Sequence, residues 1–290
     1  MCLEALSCLL PCHCIGTLSH LDFLLECIGF PPDTDLEQLA ARIIREGEPV
    51  AWRGPQGLHL RLALGNGLEV RLDREEGDDH DALWPHHEVR RRLRVAVRSV
   101  TGLPDSPFDA LLHGLANPPV PGQDGSNLAD LVEGEGEDWP LATYLSDARR
   151  VPRSTPVGHV IAVSIAGFSL DVTYVGPDEG VGNPLVKAEP KGALLLPVGD
   201  PDRPGGAMEL SLRILRVRSV SNTLTGETVQ ILEVDTPGRP LDLFVSPWQL
   251  REAGLPVPRT GWRIEGAFLF TGRVSGGLPS PQRRAGGTFG

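Results

Sequence analysis

The sequence predicts an α+β fold dominated by antiparallel strands, with a small helical N-terminal segment and sheet followed by a β-sandwich or OB-like barrel. Three observations carry this. Apolar residues recur at helical spacing mainly near the N-terminus, from residue 50 the period falls to two, and turns rich in Gly, Pro, Asn and Asp separate the later apolar runs. The 290 residues are 40% hydrophobic and 22% charged, enough apolar material for a real core and enough chain for two domains.

The helices come first. Ser19 precedes Leu21, Leu24, Leu25 and Ile28, which share one face until Gly29 ends the pattern. After Pro31-Pro32, Thr34 and Glu37 predict a capping box for a second helix. Its stripe is Leu36, Leu39, Ala40, Ile43 and Ile44, and Gly47 supplies a left-handed stop. Leu58, Leu60, Leu62 and Leu64 then alternate, Gly65-Asn66-Gly67 turns the chain, and Leu68, Val70 and Leu72 return as the second arm of a hairpin. Leu93, Val95 and Val97 make a further strand whose other face is cationic through Arg94 and Arg98. These elements form an α+β domain over residues 17–116, after an apolar, cysteine-rich extension over 1–16.

Residues 117–138 hold Pro118-Pro119, Pro121-Gly122 and six acids without a base, the composition of a solvated linker between domains. Asp138 and Pro140 then predict a helix with Leu141, Tyr144, Leu145 and Ala148 on one face. Strands follow at Val157 to Ile165, Phe168 to Val175, Ala193 to Val198, Met208 to Val220, Thr228 to Asp235, Leu241 to Val245 and Gly261 to Val274. Within the Met208 strand the inward set shifts phase at Ile214, which predicts a bulge there. Gly266 lies in phase with the aromatics of the last strand and marks a close backbone approach or a sharp bend. The β-rich domain covers 139–276, with an OB-like or other small barrel over 185–276, and 277–290 reads as a disordered tail. The segments ending in Val97-Arg98-Ser99-Val100 and Val217-Arg218-Ser219-Val220 match in four residues; an internal duplication would explain this, and coincidence in an Arg- and Val-rich chain is the favoured explanation.

Charge limits the partners. All but two (Lys187 and Lys191) of the 27 basic residues are arginine, a bacterial-like bias of GC-rich coding. The formal charge is -11, with residues 1–206 at -14 and residues 207–290 at +3, so the bulk of the chain would repel phosphate backbones and duplex DNA is not an expected partner. No apolar run reaches the length of a membrane span. With no Lys or Arg before Arg42 and Glu4 where a secretory signal places positive charge, the expected location is the cytoplasm.

Two clusters carry the chemistry of metal ligation. All five cysteines fall within the first 27 residues, which excludes a disulfide framework, and Cys8, Cys12 and Cys14 with His20 offer thiolate and imidazole ligands of the kind zinc selects. Their C-x3-C-x-C spacing misses by one residue the C-x3-C-x2-C of radical S-adenosylmethionine enzymes, whose repeated strand-helix units are also lacking. Cys27 reads as a core residue. The second cluster is Asp78, Asp79 and His80 followed by His86 and His87, dense in carboxylate and imidazole, without the spacing of an H-E-x-x-H helix or an EF-hand. No nucleophile elbow or phosphate-binding loop is present.

The expected function is therefore that of a non-enzymatic β-rich binding or scaffold protein, working in a protein assembly or as a homo-oligomer, with no cofactor. One alternative is a metal-dependent enzyme, with zinc the candidate ion, centred on His80 to Glu88. The other is single-stranded nucleic-acid binding by the C-terminal barrel, in which Arg216, Arg218, Trp262, Arg263, Phe268 and Arg273 would form a cationic stacking face.

Overall fold

The computed structural model describes residues 22–50, 57–77, 81–89, 91–103, 106–119, 138–175, 193–200 and 203–279. The chain is mostly strand with few helices, as its period-two patterning predicts. A 3-10 helix, Asp22–Ile28, and α1, Leu36–Glu46, open it. Four strands then pair in order as a small antiparallel sheet: β1 (Glu48–Pro49), β2 (Gly57–Gly65), β3 (Leu68–Glu75) and β4 (Ala82–His87). The predicted hairpin is β2–β3, and its turn places Gly65, Asn66 and Gly67 all at positive φ. The cap of α1 falls one residue later than the capping box places it. Asp35 accepts from the Gln38 amide at 3.0 Å, and Gly47 leaves the helix in extended rather than left-handed backbone.

The large sheet contains β5 (Leu93–Leu103), β6 (Ser106–Ala116), β7 (Trp139–Leu145), β8 (Val160–Val175), β9 (Leu194–Asp200), β10 (Arg203–Ser221), β11 (Thr228–Val234), β12 (Leu241–Val245) and β13 (Arg263–Gly276). A short 3-10 turn, Ala148–Arg150, follows β7, and α2, Pro247–Glu252, follows β12. The helix expected from Asp138 is instead β7. Trp139, Leu141, Thr143 and Leu145 are its buried, period-two set, and Pro140 pairs with Leu115 of β6. β5 and β6 also join this sheet, so strands from both sides of residues 117–138 share one hydrogen-bonded structure.

The pairing closes two rings. One runs β5, β6, β7, β13, β8 and the other β10, β11, β12, β8, β13, so the long β8–β13 ribbon belongs to both. Each ring has five strands, as an OB-like barrel does, and each contains one parallel pair, β7 with β13 or β12 with β8. The phase shift predicted at Ile214 is an irregularity in the β10–β11 register at that residue.

The two rings are copies of one plan. The register Leu93↔Val163 through Ala96↔Val160 recurs as Leu210↔Gly266 through Arg213↔Arg263. Ala110↔Leu145 through Gly114↔Leu141 recurs as Gln230↔Val245 through Val234↔Leu241. The bond pair Val97 N–H to His159 O and Gly158 N–H to Val97 O recurs as Ile214 N–H to Trp262 O and Gly261 N–H to Ile214 O. In both copies the first strand then breaks register, after Val97 and after Ile214. Strand–strand–strand–helix–strand therefore occurs twice, and each copy's third strand pairs with the other copy's fourth. The local twofold passes through the paired residues Gly167 and Phe270. Val97 corresponds to Ile214, so the two Val-Arg-Ser-Val segments are three positions out of register: the duplication is structural, and the tetrapeptide match is coincidental.

Inside the rings Val95, Leu112, Leu212, Leu232, Phe268 and Phe270 belong to one continuous core. A second cluster lies where the N-terminal segment covers the outer side of the ribbon. There Leu24, Leu25, Ile28 and Phe30 join Phe168, Val229, Ile231 and Phe244. No helix among the described residues is long and apolar enough to cross a membrane.

Candidate functional site

The small sheet turns its polar face onto the rings. Period two puts His59 and Arg61 of β2, Glu69, Arg71 and Asp73 of β3, and Trp84 and His86 of β4 on one side, with His59 opposite Asp73, Arg71 opposite Trp84 and Glu69 opposite His86. That side is buried except at Arg61. Arg71 is 1% exposed, and His59, Glu69, Asp73 and His86 are likewise buried. Arg71 donates to Glu69 at 3.4 Å and to Ser146 Oγ, His59 Nδ1 meets the Asp73 carboxylate, and Ser146 in turn donates to the Gly272 carbonyl at 3.2 Å. Asp147 accepts from the Val274 amide at 2.8 Å and pairs with Arg150 at 3.2 Å, and its burial raises its pKa.

A second polar node ties the sheet to the other ring. Asp242 of β12 receives Arg218 at 3.0 Å, with Arg91 at 3.7 Å and His87 Nδ1 at 3.8 Å, and Arg91 also bonds Glu233. The His87 ring stands edge-on to Phe244 at 5.0 Å. The equivalent hydroxyls Ser146 and Ser246 end the third strand of each copy, and both are held from the N-terminal side. Arg71 donates to Ser146, while Ser246 caps α2 and donates to Glu26 at 2.7 Å.

Burial sets the protonation of this seam. Desolvation pushes Arg71 down to about 10, which leaves it charged at neutral pH. Desolvation, then Arg71, Arg273 and Arg149, hold His59 near 3, so the ring that meets Asp73 is neutral. His86 is held well below the imidazole range by burial first and by Arg71, Arg273, His87 and Arg61 after it. The consequence for stability has a definite sign. Above about pH 6.5 His86 is neutral folded or unfolded. Below that the unfolded chain binds a proton that the fold refuses, so stability falls as the pH drops toward the folded value. Unfolding free energies from urea titrations between pH 7 and 5 are expected to decline by up to about 1.4 kcal/mol per pH unit for this one group. His86→Phe should flatten that decline, and identical slopes in variant and wild type would refute the assignment.

Imidazole–carboxylate pairs can do acid–base chemistry where substrate reaches them. Here both pairs are buried, His59–Asp73 within the small sheet and His87–Asp242 between the sheet and the ring strand β12. Among the described residues no three His, Cys, Asp or Glu side chains converge to hold a metal ion. His86 and His87, predicted as ligands, are neighbours on β4 that serve separate nodes, at Thr271 and Asp242. Asp78, Asp79 and His80, and Cys8, Cys12, Cys14 and His20, lie outside the described residues. Cys27 is in the core, 3.4 Å from Ser169 Oγ, and burial pushes its thiol up to about 12, which makes it unreactive.

The expected stacking face is not assembled. Phe268 is fully buried inside the rings, because the alternation that suggested a platform is the inward phase of β13. Trp262 is half-buried against Tyr174, with the Arg259 guanidinium over its ring. Arg218 is committed to Asp242 and Arg263 to Ser211, Arg216 is exposed, and Arg273 lies half-buried ten residues along β13 from Arg263.

One strand of the large sheet, β9, presents an edge. Among the nine strands of the large sheet it alone has a single hydrogen-bonded neighbour, β10, and its Leu194 and Leu196 are 45% and 47% exposed. Sequence reading found the strand but not its edge position, which depends on ring closure elsewhere. Compared with known protein families, curated proteins and solved structures, the chain matches none.

Proposed function

We propose that this chain is a non-enzymatic binding or scaffold protein that works within a protein assembly. The observation carrying the reading is β9. Among the described residues of the large sheet it alone has one neighbouring strand, and it turns two leucines outward, a combination open to strand addition through the donors on either side of Pro197, which itself offers none. Two rings that share their central ribbon, and a terminal module pinned by the Arg71–Ser146 and Ser246–Glu26 hydrogen bonds, form a body that presents this edge without rearrangement, which lowers the cost of binding. The histidines and carboxylates of the seam serve that rigidity.

Native mass spectrometry of gently purified protein, with elemental analysis of the same sample, tests the reading. A protein partner or oligomer in stoichiometric amount is expected. A lone monomer would contradict it, and stoichiometric zinc or iron would favour the metal-dependent alternative.

A further inference from the structure

The rim at β9 has a defined chemical pattern. Across the outer face, Leu196 lies opposite Glu209 of β10, Glu209 opposite Ala267 of β13, and Ala267 opposite Asp171 of β8. The neighbouring row runs Leu194, Ser211, Glu265 and Thr173. Leu196 is thus backed one strand behind by a carboxylate and Leu194 by the Ser211 hydroxyl, with Arg213 and Arg263 facing one another in the row beyond. Glu265 is already engaged, accepting from Ser211 at 2.6 Å with Arg263 at 3.8 Å. Glu209 is exposed and has no ion-pair partner among the described residues.

Geometry selects what can cover this pattern. Neighbouring strands lie about 4.8 Å apart, so a strand added to β9 runs about 10 Å from β10. A Lys or Arg side chain on that strand spans the gap, its aliphatic stem lying over Leu194 or Leu196 and its charged head reaching Glu209. A purely apolar side chain would cover the leucine and leave the carboxylate partly desolvated, and an acidic one would be repelled. A second copy of this chain, with a net charge of -11, would bring the same carboxylates to the same rim.

We propose that β9 takes up an extended segment of another protein as an added strand, and that this segment carries Lys or Arg at alternate positions on the face it shares with Leu194 and Leu196. The inference rests on the scaffold reading and names its partner class.

The test uses the full chain and the peptide acetyl-(Lys-Val)4-amide as probe, with acetyl-(Glu-Val)4-amide as its counterpart, followed by fluorescence anisotropy. The lysine peptide should bind the wild type, more weakly as salt rises. It should bind at least about tenfold more weakly to Glu209→Lys and to the double variant Leu194→Ser/Leu196→Ser, a loss of about 1.4 kcal/mol or more. The glutamate peptide should prefer Glu209→Lys. These residues are exposed, so unfolding midpoints should stay at the wild-type value. Failure of the lysine peptide to bind, or equal binding to all three proteins, overturns the proposal. A native partner that stays on the double variant overturns it while sparing the scaffold reading. A dimer that the double variant abolishes overturns it in favour of self-pairing. A lone monomer that binds neither peptide overturns both.

Discussion

Replacing Gly266 by alanine should leave little or no folded protein. Gly266 has φ +140°, a conformation that L side chains rarely adopt, and a Cβ built there would stand 2.1 Å from the Asp171 carbonyl oxygen, 2.9 Å from its carbon and 3.0 Å from the Val172 Cα. All three atoms are backbone of β8. The clash cannot be relieved by turning a side chain, only by parting β8 from β13, the ribbon both rings share. Strain and lost pairing together place the cost beyond about 4 kcal/mol, the range in which single substitutions become diagnostic. Gly276→Ala on the same strand is the control: nothing lies within 4 Å of its Cβ, and a change within about 0.5 kcal/mol is expected. Soluble yield and urea unfolding of the two variants decide the matter, and a well-folded Gly266→Ala would show that the ribbon does not approach as closely as described.

Phe270→Ala should cost about 4 kcal/mol, the usual range for emptying a fully buried aromatic site. Phe270 sits at the local twofold, paired with Gly167, and the ring fills the space a side chain at 167 would need: a Cβ there would be 2.5 Å from Phe270 Cε1 and 2.5 Å from Leu243 Cδ2. The twofold therefore holds one large and one absent side chain rather than two alike. Such a pair cannot be symmetric, and it ties both copies to a single ring. The cavity left by alanine borders both rings, so their unfolding should remain one transition, shifted to lower urea. Separate transitions would mean that the rings do not share a core.

Much of the fold was legible because it rests on local period. The β2–β3 hairpin, β10 to β13, the irregularity at Ile214 and the close approach at Gly266 follow from alternation, turn residues and phase. β7 was not, because Leu141, Tyr144 and Leu145 also satisfy helical spacing, and only pairing with β6 and β13 selects the period of two. Ring closure and the internal duplication lay beyond reach, since the copies agree in register and hydrogen bonding while sharing few residues. The polar seam was missed for a related reason. His59, Arg61, Glu69, Arg71 and Asp73 alternate as a solvated strand face does, and burial comes from what packs on them. A trace was present in Glu69, two residues from Arg71 and diagonal to Arg61: the two arginines face one another directly across the hairpin and both bond this one carboxylate. The edge at β9 was invisible until every other strand had been paired.

Hydrogen exchange on the full chain, read strand by strand, tests the central claim of a closed double ring whose one edge among the described strands of the large sheet is β9. The account predicts that amides of β8 and β13 exchange slowest, that the β9 amides in phase with Pro197, those of Leu195 and Gly199, exchange fast because they face away from β10, and that these become protected when a partner is bound. Uniform protection of β9 in the unbound protein, equal to that of β8 and β13, would contradict it.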